Sequence, residues 1–261
     1  MKSIAIITGA SSGIGREFIA QLNQGAGGVL DEIWAIARNQ ERLDEVAASS
    51  AIPVRTMALD LTKDGSVAEV ARLLDEEGDE VRVQWLVNSA GFGRTGDFDA
   101  ISAEDNSNMV RLNCLAVVDM CYATLPHMVA GSRIVNMASV AGFLPLAQFA
   151  VYSASKDFVI SFSYALDAEL RNVGIRVTAV CPKWMKTGFM DDIGDREAYE
   201  SMTVIGFDDP KSVVNTALRS SVLGSPMCIP SPDMQFVRIF TKILPVGATI
   251  AAFGLLRRLK R

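Results

Sequence analysis

Short apolar runs alternate along the chain with segments in which apolar residues recur at helical spacing. The first run, Ile4–Ile7, is followed by such a segment from Ser11 to Gln24. Short β-branched runs are typical of buried strands, and a 3.6-residue repeat is typical of amphipathic helices. The pattern predicts strands at 3–9, 31–38, 54–60, 83–91, 133–139, 175–182 and 227–230, and helices at 11–24, 39–48, 62–77, 104–124 and 152–172.

Strands that alternate with helices and are apolar on both sides favour an α/β fold, with a parallel sheet covered by helices on both faces. No internal repeat and no linker rich in Pro, Gly or Ser interrupts the alternation, so residues 1–261 are expected to form one domain. The 49% apolar and 21% charged composition is that of a globular protein. A net charge of −5 argues against a general affinity for nucleic acid.

The charge is distributed unevenly, because residues 236–261 carry six Lys or Arg and no acid, which leaves −11 on the rest of the chain. The apolar stretch Ile243–Leu256 has 14 residues, fewer than the roughly 20 that a membrane span requires. This C-terminal extension has three interpretations: a docking helix at an oligomer interface, a peripheral anchor on anionic lipid, or a cover over a substrate pocket. The interface is favoured, because large exposed apolar patches usually mark partners.

Cysteine and histidine suggest no metal site. Cys114, Cys121, Cys181 and Cys228 lack CxxC spacing and are expected to be buried thiols in a reducing compartment. His127 is the single histidine, and we expect it at a helix end. The first strand begins too early for a signal peptide to precede it, so we expect a cytoplasmic protein.

A glycine-rich turn, TGASSGIG at residues 8–15, joins the first predicted strand to the first predicted helix. Glycines in this position let the backbone approach a pyrophosphate, and the helix N-terminus offers unpaired N–H groups and a positive dipole end. The strand–turn–helix context raises the weight of an otherwise weak motif. The residues expected to face a dinucleotide are Gly9, Ser11, Ser12, Gly13, Ile14 and Gly15.

The end of the second predicted strand distinguishes between two cofactors. Enzymes that bind NAD usually place an Asp or Glu there, where it binds the ribose 2′-hydroxyl. This chain has Arg38 after three apolar residues, and a guanidinium suits a 2′-phosphate. We therefore expect NADP(H) to be preferred over NAD(H).

The stretch VYSASK at residues 151–156 places the Tyr152 phenol and the Lys156 ammonium one helical turn apart. Together with TGASSGIG, Asp60-Leu61, NSAG at 88–91, Asn113 and Ser139, it resembles the short-chain dehydrogenase/reductase family. The resemblance runs from about residue 3 to residue 190, and it implies a doubly wound, Rossmann-like sheet and a homodimer or homotetramer.

The resemblance implies a role for each matching residue. Tyr152 would be the general acid or base, and Lys156 would lower the phenol's pKa from its ordinary value near 10. Ser139 would bind the substrate oxygen, and Asn113 would position a water molecule. Further residues that would contact the cofactor are Asp60, Leu61, Asn88, Ala90, Gly91, Pro182 and Thr187, with Tyr152 and Lys156.

The chain departs from the family after the sixth strand, where Lys183 replaces the usual glycine. Lys183 and Lys186 could meet an acidic group on the substrate, although two solvated loop lysines are the simpler interpretation. Residues 184–210 correspond to the family's substrate loop. The apolar residues expected to line the pocket are Phe143, Phe149, Trp184, Met185 and Met190.

Such a lining suits a lipophilic ketone or secondary alcohol, steroid-like or long-chain. A 3-ketoacyl-thioester reductase of fatty-acid synthesis is a rival within the enzyme class. A non-catalytic dinucleotide sensor is a rival from another class, although such a protein would be expected to lose the tyrosine or the lysine.

Overall fold

The computed structural model describes residues 1–187, 193–194 and 205–259, with side chains as far as Leu255. Seven parallel strands form the central sheet in the order β3-β2-β1-β4-β5-β6-β9. They are β1 (Lys2–Thr8), β2 (Glu32–Ala37), β3 (Val54–Ala58), β4 (Val81–Asn88), β5 (Arg133–Met137), β6 (Arg176–Val180) and β9 (Met227–Cys228). Two short strands, β7 (Trp184–Met185) and β8 (Phe207–Asp208), pair with each other outside this sheet.

The helices of the described chain follow the strands in alternation. They are α1 (Gly13–Leu22), α2 (Gln40–Ser49), α3 (Ser66–Glu77), α4 (Ala103–Val110), α5 (Ala116–Thr124), α6 (Ala150–Leu170), α7 (Pro210–Val222), α8 (Pro232–Ile243) and α9 (Val246–Leu259). The predicted α/β fold, with a doubly wound parallel sheet, is confirmed.

The packing of strand β1 explains why residues 4–7 are all apolar. Successive side chains of a strand point to opposite faces of the sheet. Ile4 and Ile6 lie in the core that the sheet forms with α3 and α5, whereas Ala5 and Ile7 lie in the core formed with α1, α2 and α7. A strand covered by helices on both faces must bury both sets of side chains, which explains the continuous apolar run.

The strand order fixes where a ligand can bind. From β1 the chain adds β2 and β3 on one side, then returns to add β4, β5 and β6 on the other. In open α/β sheets, ligands bind beyond the carboxyl ends of the strands at such a reversal. Thr8 and Asn88, the last residues of β1 and β4, are paired in register at this point.

Two features differ from the sequence prediction. The long helix expected at 104–124 is divided into α4 and α5 by a π-helical turn at Arg111–Leu115. Helix α7 was not predicted, although its start carries ordinary signals: Pro210 occupies the first turn, and the Asp209 side chain accepts a hydrogen bond from the Ser212 N–H.

Most of α8 and all of α9 lie in the C-terminal extension. Met234 of α8 and Phe253 of α9 are buried, whereas much of the remaining apolar surface of both helices is exposed. Within the described chain, no helix has both the length and the apolar character needed to cross a membrane.

An ion pair between the buried Asp167 and the partly exposed Arg176 fastens α6 to β6. The Arg176 guanidinium donates to both carboxylate oxygens of Asp167, at 2.8 and 3.1 Å, and the Val177 N–H donates to one of them at 3.0 Å. Burial alone would raise the pKa of Asp167, but these donors outweigh it and hold the pKa below its usual value. Ionised Asp167 therefore stabilises the fold at neutral pH, and this contribution is lost as the pH falls below about 4.

Replacing Asp167 by alanine should lower the free energy of unfolding by about 3 kcal/mol, because it leaves a cation and a buried N–H unpaired. Urea unfolding followed by circular dichroism measures the change. Arg72→Ala is the control, since Arg72 pairs with Glu69 and Glu76 on the exposed surface of α3 and should matter little. Equal losses in the two variants would contradict the prediction.

Candidate active site

The glycine-rich turn after β1 is fastened to the turn after β4. The Thr8 hydroxyl oxygen accepts hydrogen bonds from the N–H groups of Ser89 and Ala90, at 3.1 and 3.0 Å. Gly9 has a positive φ of 67°, and a Cβ there would lie 2.9 Å from the backbone of Ala90. A side chain at Gly9 would therefore push apart the two turns that border the crevice beyond the carboxyl ends of β1 and β4.

The N-terminus of α1 faces the crevice, and the side chain of its N-cap residue does not cap the helix. Ser12 is the N-cap residue, and its side chain makes no capping hydrogen bond to the helix. Ser11 and Ile14 flank it, partly buried. Gly13 has a φ of 51°, and a Cβ there would lie 3.2 Å from Thr187 Cβ, on the loop after β6. This cradle of glycines and helix N–H groups fits the pyrophosphate of a dinucleotide.

Arg38 and Asp60 follow the ends of β2 and β3, on one side of the same crevice. Arg38 is exposed, whereas Asp60 accepts hydrogen bonds from the Thr62 N–H at 3.0 Å and from its hydroxyl at 2.7 Å. Burial raises the pKa of Asp60, but Thr62, Arg38 and Lys63 together hold it below the usual value. The Leu61 side chain is buried in the core beneath.

Asn88 belongs to a polar network inside the core. Its side-chain amide donates to the Asn136 side-chain oxygen at 2.9 Å, and the Asn136 amide donates to the Ser163 hydroxyl at 3.0 Å. All three residues are buried, so the network links β4, β5 and α6. Asn136 was not predicted as a site residue, although a polar residue inside an apolar strand was a signal for it.

The π-helical turn between α4 and α5 carries Asn113, which is fully buried. Its carboxamide accepts from the Phe92 N–H at 3.1 Å and donates to the Phe92 carbonyl at 2.9 Å. It also donates to the Ser155 hydroxyl at 3.1 Å, and this hydroxyl donates to the Tyr152 carbonyl at 2.7 Å. One amide therefore holds the loop after β4 and helix α6 together.

Lys156 lies buried on α6, and its ammonium donates to the Met137 carbonyl at the end of β5, at 2.7 Å. Burial lowers the pKa of Lys156 to about 8, although Cys114 and Cys181 act to raise it. Gly91 leaves room for both side chains, because it has none of its own. A Cβ at Gly91 would lie 3.4 Å from Lys156 Nζ and 2.9 Å from the Asn113 side-chain oxygen.

Tyr152 and Ser139 are the other two predicted catalytic residues. The Tyr152 ring centroid lies 5.6 Å from Lys156 Nζ and 4.3 Å from the centroid of Phe149. Ser139 caps a short 3₁₀ turn after β5, where its hydroxyl oxygen accepts from the Ala141 N–H at 3.2 Å. The carbonyl of Pro182 accepts from the Val140 N–H at 3.1 Å, which brings the loop after β6 to the same place.

The predicted pocket residues fall into two groups. Phe149, Trp184 and, at its margin, Phe143 lie in one apolar cluster with Tyr152, whereas Met185 packs against the core beside α1 and α7. Met190 lies outside the described residues. Phe253 of α9, which the sequence analysis did not single out, is buried in this cluster. Part of the C-terminal extension therefore covers the cluster that contains Tyr152.

The two loop lysines are both engaged within the protein. Lys183 Nζ donates to an Asp233 carboxylate oxygen of α8 at 2.7 Å, and the Lys183 N–H donates to Asp208 at 2.9 Å. Lys186 Nζ lies 5.4 Å from the ring centroid of Phe207. The expectation of a solvated lysine was wrong for Lys183, because its ammonium ties the loop after β6 to the start of α8.

Comparison with known proteins supports a common origin. The family model for short chain dehydrogenase matches residues 3–198. Sulfoacetaldehyde reductase 2 from Chromohalobacter salexigens is 36% identical over 198 residues, which are 72% of this chain and 75% of that protein.

Two solved structures have a similar fold. The short-chain dehydrogenase from Sphingobium yanoikuyae, in complex with NADPH, superposes with a TM-score of 0.76 at 28% identity, covering 92% of each chain. The bulky-bulky ketone specific alcohol dehydrogenase from Comamonas testosteroni gives 0.72 at 26% identity, covering 93% of this chain and 92% of that one. The chain belongs to the short-chain dehydrogenase family and is an oxidoreductase.

Proposed function

We propose that the protein interconverts a lipophilic ketone and its secondary alcohol, steroid-like or long-chain, with NADP(H) as the cofactor. The observation that carries the proposal is the position of Tyr152. Its ring lies beside the buried Lys156 ammonium on one side and within an apolar cluster on the other. A proton donor between a cation and an apolar surface suits a carbonyl group attached to apolar carbon.

The chain's own residues have distinct roles in this proposal. Tyr152 Oη gives a proton to the substrate oxygen in reduction and takes it back in oxidation, while the bound cofactor supplies or accepts the hydride. The Lys156 ammonium favours the phenolate form of Tyr152 by its charge and binds the nicotinamide ribose. The Ser139 hydroxyl orients the substrate oxygen. Asn113 acts as a positioning residue, because its side chain holds Phe92 and Ser155.

The remaining contacts hold the cofactor. The turn Gly9–Gly15 and Thr187 would enclose the pyrophosphate and the nicotinamide end. Asp60 would contact the adenine, and the backbone of 88–91 would border the adenosine ribose. Arg38 would bind the 2′-phosphate, since it is an exposed guanidinium at the end of β2, where enzymes that bind NAD usually place an acid.

The apolar cluster favours a lipophilic substrate. Phe149, Trp184 and Phe253 lie in the cluster with Tyr152, and the Comamonas relative is specific for bulky ketones. The Chromohalobacter relative reduces an aldehyde that carries a sulfonate. Lys183 and Lys186, which could have met such an acidic group, contact Asp233 and Phe207 instead, which disfavours a small anionic substrate.

The geometry of the site gives less support to the two rival hypotheses. A carrier-protein-linked thioester reductase would dock a polar, acidic partner, whereas the helices beside the pocket, α8 and α9, expose many apolar side chains along with their basic residues. A non-catalytic sensor would not need Ser139, Tyr152 and Lys156 near the end of β5. A dimer or tetramer, as the family implies, stays a prediction.

Tyr152→Phe should lower the rate of NADPH-dependent ketone reduction at least about 100-fold, because it removes the proton donor and keeps the ring. The assay follows NADPH oxidation over steroid, long-chain aliphatic and aromatic ketones. Tyr164→Phe, on the same helix, is the matched control and should retain activity. Turnover by Tyr152→Phe at the normal rate would refute the mechanism.

Arg38→Ala should raise the dissociation constant for NADPH about tenfold and leave that for NADH almost unchanged, because only NADPH has the 2′-phosphate. Quenching of tryptophan fluorescence measures both constants. Arg219→Ala, an exposed arginine in the last turn of α7, is the control. A parallel loss of affinity for both nucleotides would contradict the cofactor assignment.

A further inference from the structure

Helix α8 carries an apolar stripe on the side that faces away from the protein. The stripe consists of Phe236, Ile239, Phe240 and Ile243. These positions are separated by three, one and three residues, so they share one face of the helix. Each is at least 56% exposed, whereas Met234 is buried and Val237 packs against the active-site cluster. Amphipathic helices of globular proteins bury their apolar face, yet α8 exposes a second one.

The exposed apolar surface continues beyond α8. Leu244 lies between the two helices, and Val246, Ile250 and Leu255 follow on α9; all four are exposed. We call these residues, together with the stripe on α8, the outer surface. Large contiguous apolar surfaces on a protein usually mark a site of contact with a partner or a membrane.

The sequence that carries the outer surface is basic. Lys242 is exposed near the end of α8, and the sequence from 236 to 261 contains six basic residues and no acid. The rest of the chain carries −11. The acid of α8, Asp233, lies in the first turn and pairs with Lys183. An exposed apolar helical face accompanied by basic residues is the pattern that binds the interface of an anionic bilayer.

We propose that the outer surface docks on a lipid bilayer that contains anionic lipid, with α8 and α9 lying along the membrane interface. A second copy of the chain is a poorer occupant. In a two-fold contact the same surface faces itself, so the basic residues of one copy would meet those of the other without an acid to pair with. Anionic headgroups complement both the apolar face and its charge.

Docking in this way would place the active site next to the membrane. Phe253 of α9 is buried in the cluster that contains Tyr152, while Ile250 and Leu255 of the same helix are exposed. One helix therefore lies between the outer surface and the active-site cluster. This part of the inference rests on the proposed function: a lipophilic ketone dissolved in the bilayer would reach the cluster by passing α9.

Sedimentation of the full-length protein with vesicles tests the docking. Vesicles of phosphatidylcholine with about 30% phosphatidylglycerol should bind the protein, and binding should weaken in about 0.5 M salt as charge is screened. The double variant Phe240→Asp/Ile243→Asp should bind at least about tenfold more weakly. Leu223→Asp, an exposed leucine after α7, is the matched control and should bind normally.

Three results would overturn the proposal. They are no sedimentation with the anionic vesicles, equal sedimentation of the double variant, and equal binding to pure phosphatidylcholine at every salt concentration. Light scattering without lipid adds a fourth: a lower molar mass for the double variant would identify the outer surface as an interface between copies. None of these measurements depends on turnover, so failure of the proposed reaction with vesicle binding intact would leave the docking standing.

Discussion

The buried ammonium of Lys156 is the constraint on which the site depends. Removing a cation from water costs several kcal/mol unless the protein or a ligand replaces the lost hydrogen bonds. Among the described residues, the hydrogen-bond acceptor of this ammonium is the Met137 carbonyl, which leaves donors for a ligand. Burial lowers its pKa to about 8, so the group is still mostly charged at neutral pH. A ribose that accepted the remaining hydrogen bonds would stabilise this charge beside Tyr152.

The fold supplies what surrounds that charge. The parallel sheet brings the ends of β1, β4 and β5 to one edge, which places the glycine-rich turn, Gly91 and Met137 around one crevice. The π-helical turn then directs the Asn113 carboxamide at the loop after β4 and at α6. A regular helix through 111–115 would turn this side chain differently, and π-helical turns often occur at functional sites.

Most of the sheet and its glycine-rich turn could be predicted from the sequence, because short apolar runs and the turn TGASSGIG have local causes. What it missed depends on contacts between distant residues. The pairing of Lys183 with Asp233 joins residues 50 positions apart, and the burial of Phe253 depends on how α9 folds back over the cluster. Helix α7 is different, because its capping signals at Asp209 and Pro210 are local and could have predicted its start. The one-domain organisation and the individual site roles stay predictions.

The pH dependence of NADPH binding, measured by fluorescence for the wild type and for Lys156→Met, tests the central claim most directly. In the proposed role of Lys156, its protonated ammonium is the form that binds the cofactor, and burial lowers the pKa of this group to about 8. The account predicts that the dissociation constant of the wild type rises above that pH, whereas the variant binds more weakly at neutral pH and shows no such rise. The same pH dependence in both proteins would contradict the account.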